Sequence, residues 1–200
     1  MEPVAPWGLA NSLLRRACRV YVRLAPMVAD RPPRAFVALG SNLGDREAHL
    51  RRALQALRAT REIHRLQVSR IYETDPVGPP PQGPYLNAVA EIETGLEPRA
   101  LLERLLQIEA EEGRVRRGEQ GEARTLDLDL LLFADRCIDE DALVVPHPRM
   151  HERGFVLEPL CELAPQWVHP RSGKTIAELA ARVRDPLAVR PWPAGAVAGW

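Results

Sequence analysis

Cysteine is scarce and badly placed for structure. Cys18, Cys137 and Cys161 are widely spaced, odd in number and form no C-x-x-C pair. Neither a disulfide framework nor a zinc site is favoured, and a reducing cytosol is the expected compartment. No run of 18 apolar residues exists, so no membrane-spanning helix is expected. Net charge is absent too: 27 basic residues balance 27 acidic ones, which removes the global electrostatic case for nucleic acid or membrane binding. Lys174 is the single lysine, so nearly all the positive charge is arginine. Aromatics are few, with three Phe and three Tyr. Neither G-x-G-x-x-G nor a P-loop occurs. What remains is ordinary for a globular domain: 46% hydrophobic and 27% charged residues in 200.

The stretch Arg124-Thr-Leu-Asp-Leu-Asp-Leu-Leu-Leu-Phe133 organises the rest. Leucines at 126, 128, 130 and 132 alternate with Asp127, Asp129 and Leu131, which predicts a strand. A period of two puts Asp127 and Asp129 on one face, their Cα atoms roughly 6.7 Å apart. At an effective dielectric near 20 their repulsion is about 2.5 kcal/mol before desolvation. A divalent cation removes that conflict, and two cations bridged by such a pair suit phosphoryl or pyrophosphoryl transfer. The plainer alternative is an edge strand with a solvated acidic face.

Residues 1–33 differ in character from the remainder of the chain. Leu9 to Leu24 could form a short arginine-rich helix, fenced by Pro3, Pro6, Pro26, Pro32 and Pro33 and without the core and cleavage site of a secretory signal. The expectation is a disordered extension, or upstream sequence ahead of a true start at Met27; a basic helix that touches a membrane or an organelle import receptor is the alternative. The domain is expected over 34–184, with a loose tail at 185–200 that is rich in Pro, Gly and Ala. Phe36-Val-Ala-Leu39 predicts a strand running into the Gly40-Ser-Asn-Leu-Gly-Asp45 turn, with Asp45 as helix cap. That turn could cradle phosphate, but alone it is weak evidence. Leu50, Ala53, Leu54 and Leu57 predict an amphipathic helix over 46–59. Strand character returns at Val68–Thr74. The loop at 75–84 holds five prolines and two glycines in ten residues, a stiff backbone of the kind that shapes a pocket. A strand at Tyr85–Thr94 and a helix over Pro98–Glu112, ended by Gly113, come next. Residues 114–124 carry four arginines; beside paired carboxylates they read as a clamp on polyphosphate. A proline-rich turn at 144–149 presents His147. Trp167–His169 reads as a short last strand and Lys174–Val183 as a last helix. This order is the βαββαβ ferredoxin-like plan, α+β with an antiparallel sheet, extended by additional helices into a three-layer α/β/α arrangement.

Together these segments resemble the 6-hydroxymethyl-7,8-dihydropterin pyrophosphokinase family of folate biosynthesis. The resemblance runs from about Phe36 to Leu179. Its pieces are Leu-Gly-Ser-Asn-Leu-Gly at 39–44, Tyr-x-Thr-x-Pro-x-Gly-Pro at 72–79, Tyr-Leu-Asn at 85–87 and Ile-Glu at 108–109. Gly-Arg-x-Arg at 113–116, Arg-Thr-Leu-Asp-Leu-Asp at 124–129, Pro-His-Pro-Arg-Met at 146–150 and Arg-Gly-Phe-Val-Leu-x-Pro-Leu at 153–160 complete it. The resemblance implies transfer of pyrophosphate from ATP to the pterin hydroxymethyl oxygen, releasing AMP. It implies that Asp127 and Asp129 hold two Mg²⁺ ions, and that Arg114 and Arg124 stabilise the transferring group. Glu109, Arg116, His147 and Arg153 match ATP-binding positions. Tyr85 and Phe155 match an aromatic pair that sandwiches the pterin, with Asn87, Thr74 and Val77 completing its pocket. Small molecules are then the only partners, with neither nucleic acid nor membrane, and the enzyme is expected to be a cytoplasmic monomer. An RNA-binding module is disfavoured because the strands lack the paired aromatics that stack bases.

Three positions depart from the family pattern. Gln120-Gly-Glu-Ala-Arg124 stands where many members have Arg-Trp-Gly-Pro-Arg, Leu106 where some have Gln, and Pro148 where some have Tyr. The loop clamp is therefore expected to be weaker. Replacing Gln120→Arg together with Gly121→Trp should tighten ATP binding by roughly tenfold, the scale of one arginine or tryptophan anchor. Titration calorimetry and steady-state turnover check this; unchanged values would refute it.

Overall fold

A computed structural model describes residues 31–76, 82–114, 123–183 and 189–193. Residues 1–30 of the expected N-terminal extension lie outside these, as do Val77, Arg116, Gln120 and Gly121.

Strand β1 (Arg34–Ser41) is an interior strand of the sheet, and both of its faces are apolar. Ala35, Val37 and Leu39 point into one core and Phe36 into another, with Ala38 packed beside it. Helix α1 (Arg46–Arg58) begins where the Asp45 carboxylate accepts from the Ala48 N–H. It buries Leu50, Ala53, Leu54 and Leu57, as the sequence spacing predicts. Each fully buried leucine contributes roughly 2 kcal/mol of gross hydrophobic stabilisation. Helix α2 (Pro98–Glu111) starts with proline in its first turn and buries Leu101, Leu105 and Ile108 in the same core. Gly113, at φ +76°, lies just past its end.

The polypeptide between α1 and α2 departs from the sequence reading. In place of one strand at Val68–Thr74 the structure has two, β2 (Ile63–Val68) and β3 (Tyr72–Thr74), which pair in succession with the long β4 (Tyr85–Thr94). The interruption has a local cause. The Ser69 hydroxyl accepts from the Val89 N–H at 3.0 Å while the Ser69 N–H donates to Val89 O, so serine satisfies both groups of Val89. Arg70 then turns outward, its N–H and guanidinium both bonded to Glu162. The polar outer positions of β2 (His64, Arg65, Gln67) hide it from a search for apolar runs.

Strand β5 (Asp127–Phe133) closes the sheet beside β1, antiparallel to it. Phe36 pairs with Leu132 and Val37 with Leu130, which leaves Leu131 as the extra residue of a bulge. Before the bulge Leu128 and Leu130 face α1 and α2; after it Leu132 faces the opposite core. The hairpin of β6 (Ile138–Glu140) and β7 (Leu143–Val145) has no counterpart in the sequence reading. Helix α3 (Gly154–Leu163) and helix α4 (Ile176–Ala180) cover the second face. The expected ten-residue last helix is only these five residues, started by a Thr175–Glu178 capping box. The expected strand at 167–169 is a single bridge between Val168 and Thr175.

The sheet order β5-β1-β4-β3, with β2 also on β4 and every pairing antiparallel, is the ferredoxin-like plan. Helices on both faces make the three layers. One segment beyond Asp185 corrects the loose-tail expectation: Val189–Pro191 forms an edge strand, β8, on β3. No helix among the described residues is long and apolar enough to cross a membrane.

Phe36 is fully buried and meets Trp167 edge-on at 5.0 Å. Phe36→Ala should therefore cost about 3–5 kcal/mol. Val168→Ala, at a half-exposed position beside it, should change stability by less than about 0.5 kcal/mol. Urea unfolding of the two variants measures the difference.

Candidate functional site

The ends of three neighbouring strands build the site. Gly40 on β1 pairs with Asn87 on β4 and with Asp127 on β5, and Ala38 pairs with Val89 and Asp129. Side chains alternate along each strand, so both rows lie on the face covered by α3. Asp127 and Asp129 thus share a face, as their spacing predicts. Leu128 and Leu130, 3% and 5% exposed, hold them there: a slip of one residue would drive both carboxylates into the α1–α2 core. Gly40 keeps the row open. A Cβ on it would stand 3.4 Å from Asn87 Oδ1 and 3.9 Å from Asp127 Cβ.

β5 is an edge strand, so the plainer sequence alternative is right about position. The carboxylates do not face solvent alone, because basic groups stand beside both, which are 21% (Asp127) and 36% (Asp129) exposed. Arg114 Nη1 lies 2.5 Å from Asp127 Oδ1, and Arg124 Nη1 binds Asp127 Oδ2. Arg114 also pairs with Glu109, which is 2% exposed and accepts from the Leu128 N–H at 2.8 Å. Glu109 therefore ties α2 to Arg114 and to the start of β5. Around Asp129, His147 Nε2 stands at 3.8 Å and Arg153 Nη1 at 3.7 Å. His147 Nδ1 accepts from the Arg149 N–H, which assigns the ring proton to Nε2, on the side of Asp129. Burial, then the charge of Asp127, pushes the Asp129 carboxyl above its ordinary value, against His147 and the arginines. Burial lowers His147 below the usual imidazole range, with Asp129 opposing. His147 also borders a cleft of about 590 Å³ shared with Val144, Pro148 and His151.

The donor set bears on the metal. Among the described residues no group of three His, Cys, Asp or Glu side chains converges on a point. Two carboxylates on one strand face fit Mg²⁺, which is held by one or two carboxylates and takes its remaining ligands from phosphate and water.

The other end of the row is a polar recess. Asn87, 6% exposed, donates from Nδ2 to Thr74 Oγ1 at 2.8 Å. That bond orients the carboxamide and leaves Oδ1 on the Gly40 side. Tyr85 lies on the same strand face, half-buried, its hydroxyl donating to Gln82 Oε1 at 3.3 Å. Burial raises its phenol pKa, and Arg124, Asp127 and Arg114 are the charges it senses. Phe155 opens α3, with the Arg153 guanidinium 5.6 Å from its ring centroid. Thr74, Tyr85, Asn87, Glu109, Arg114, Arg124, Asp127, Asp129, His147, Arg153 and Phe155 all lie in described segments. Val77 and Arg116 do not.

Sequence reasoning misses Ser41 and Asn42. The turn at 40–45, weak as a phosphate cradle, works in the structure as a staple made by its polar side chains. Ser41 Oγ donates to Thr125 O at 2.6 Å, and Asn42 Oδ1 accepts from the Arg124 N–H at 2.6 Å. The Asn42 N–H returns a bond to Arg124 O, and its Nδ2 reaches Gln82 Oε1. Both residues are buried, so the turn sets the backbone of Arg124 as it enters β5. A buried polar pair directly after an apolar strand is the signal that could have found them.

Comparison with known proteins bears on the family and the fold. The family model for 7,8-dihydro-6-hydroxymethylpterin-pyrophosphokinase matches residues 36–165. A Bacillus subtilis protein named 2-amino-4-hydroxy-6-hydroxymethyldihydropteridine pyrophosphokinase is 52% identical over 132 residues, which cover 66% of this chain and 78% of the relative. The Haemophilus influenzae protein of the same name is 45% identical over 151 residues, 76% of this chain and 93% of the relative. In fold, the chain is similar to the crystal structure of wild-type Plasmodium falciparum HPPK-DHPS, with a TM-score of 0.61 and 15% identity. That match takes in 78% of this chain and 44% of the longer one. The chain belongs to the 7,8-dihydro-6-hydroxymethylpterin-pyrophosphokinase family.

Proposed function

We propose that this chain transfers the pyrophosphoryl group of ATP to the hydroxymethyl oxygen of 6-hydroxymethyl-7,8-dihydropterin, releasing AMP. The row Asn87–Gly40–Asp127 is the observation that carries the reading. An amide able to read a heteroaromatic edge and a carboxylate suited to a cation lie on either side of a residue without a side chain. The hydroxymethyl arm would cross over Gly40, with the ring toward Asn87 and the reacting oxygen toward Asp127.

Each residue then has a role set by its surroundings. Tyr85 and Phe155 supply aromatic faces for the bicyclic ring. Asn87, held by Thr74, offers its carboxamide to the ring's amide edge, and Val77 completes the pocket. Asp127 and Asp129 would hold two Mg²⁺ ions, which supply charge neutralisation at the triphosphate and the attacking oxygen when bound. Arg114 and Arg124 rest on Asp127, and with cations on the carboxylates their guanidiniums would exchange that partner for the transferring phosphate. Glu109 keeps Arg114 within reach during that exchange. His147, through Nε2–H, and Arg153 donate to phosphate oxygens beside Asp129, and Arg116 adds a contact from the 115–122 segment. The substrate oxygen bonds to the β-phosphorus, the bond from that phosphorus to the α-phosphate bridging oxygen breaks, and the hydroxyl proton is released. No side chain becomes covalently attached; positioning and charge stabilisation provide the acceleration.

Product analysis tests the reaction. Purified protein with Mg·ATP and the pterin should give pterin-dependent AMP, and Asp127→Ala or Asp129→Ala should each lower the rate by at least about a hundredfold. ADP as product would overturn pyrophosphoryl transfer.

The Gly40 position yields a separate test. Gly40→Ala puts a methyl group between Asn87 and Asp127 in a strand that accepts alanine. The melting temperature should hold while kcat/KM for the pterin falls by roughly a hundredfold, the cost of displacing a reacting group by about 1 Å. Equilibrium ATP binding should stay unchanged.

A further inference from the structure

Strand β8 lies beyond residues 36–165, the span of the family match, yet it holds the substrate edge of the sheet. Val189, Arg190 and Pro191 pair with Thr74, Glu73 and Tyr72, and the Trp192 N–H continues the ladder to Ile71 O at 2.9 Å. Two side chains extend the attachment. Arg190 Nη2 meets Asp75 Oδ1 at 2.8 Å. Trp192 donates from Nε1 to Glu47 Oε2 at 3.3 Å and lies under the Arg46 guanidinium, 5.1 Å from its ring centroid.

Arg46 is what makes this arrangement relevant to the site. From the first turn of α1 it donates to Glu73 Oε1 at 3.0 Å and to Pro84 O at 2.7 Å. Glu73 precedes Thr74, and Pro84 precedes Tyr85. One guanidinium thus bridges the two ends of the proline-rich loop, next to the Thr74–Tyr85 pair where the β3–β4 ladder ends, and braces the side chains and backbone that flank it. Such a span depends on the guanidinium plane staying in one orientation. The indole face supplies that, since a cation over an aromatic ring is held by the ring's quadrupole and shielded from water on one side.

We propose that Trp192 is a positioning residue for the pterin pocket, acting through Arg46 on Thr74 and Tyr85. The inference rests on the pterin reading above. Preorganisation lost from one wall of a pocket lowers affinity for the ligand of that wall. The nucleotide-side residues Glu109, Arg114, His147 and Arg153 make no bond to Arg46 or Trp192 among those described.

The test is a split between the two substrates. Trp192→Ala should raise the KM for the pterin on the order of tenfold, leaving kcat and the KM for ATP within about twofold of wild type. Trp192→Phe, which keeps an aromatic face, should restore most of the loss. Arg46→Met leaves the tryptophan and β8 in place and removes Nη1, the one nitrogen that reaches both acceptors. It should reproduce the Trp192→Ala effect, and the double variant should add little to either. Because Arg46→Met leaves the β8 ladder to β3 intact, it carries the test if Trp192→Ala does not fold. An unchanged pterin KM in Trp192→Ala, a parallel rise in the ATP KM, or a phenylalanine variant as impaired as alanine would each overturn the proposal. Equilibrium pterin binding separates the two levels. Wild-type protein that binds no pterin defeats the functional reading itself. Equal pterin binding by wild type and Trp192→Ala defeats the role of Trp192 alone.

Discussion

Burial of Leu128 and Leu130 on one side of β5 forces Asp127 and Asp129 onto the other, and much of the surrounding structure answers the repulsion that results. Arg114 and Arg124 take Asp127; His147 and Arg153 stand by Asp129. Those partners come from the end of α2, the entry to β5, the turn after β7 and the start of α3. No single segment could have supplied them. Glu109 shows the same constraint at one remove: a buried carboxylate is costly unless bonded, and it is bonded to a guanidinium and a backbone N–H together.

Small residues matter as much as charged ones. Gly40 and Ala38 lie between β4 and β5 where bulkier side chains would fill the trough from Asn87 to Asp127. The next residues, Ser41 and Asn42, meet the backbone at 124–125, so the residue that opens the trough and those that brace Arg124 are consecutive. A short motif that carries little information as a phosphate loop is well explained as a joint between two strands. On the far side, β8 and the Arg46–Trp192 stack brace the opposite edge, so the sheet is held on both flanks of the site.

The ferredoxin-like plan was legible because its helices and central strands are strongly patterned. The apolar spacing of α1, the buried run of β1 and the alternation of β5 each have one physical solution. Legibility failed where polar side chains replace main-chain partners or cover an edge. Ser69 splits a strand by supplying a hydroxyl in place of a ladder group, and β2 carries polar residues outward. The five-residue α4 depends on a capping box and on Ile176 and Leu179 meeting the second core. Strand β8 has no hydrophobic signature; it exists because β3 offers it an unpaired edge and Asp75, Glu47 and Arg46 offer it partners.

By itself the sequence determined that two aspartates share a strand face, that arginines crowd the approach to it, and that a glycine-rich turn and a stiff proline loop lie upstream. These are properties of spacing and residue type, and spacing survives any docking of the segments. Only the tertiary structure decided which arginine meets which carboxylate, that Asn87 and Asp127 flank the same glycine, and that a C-terminal strand returns to brace the pocket. Those outcomes depend on strand order and on a register shared between segments far apart in the chain, which no local pattern encodes.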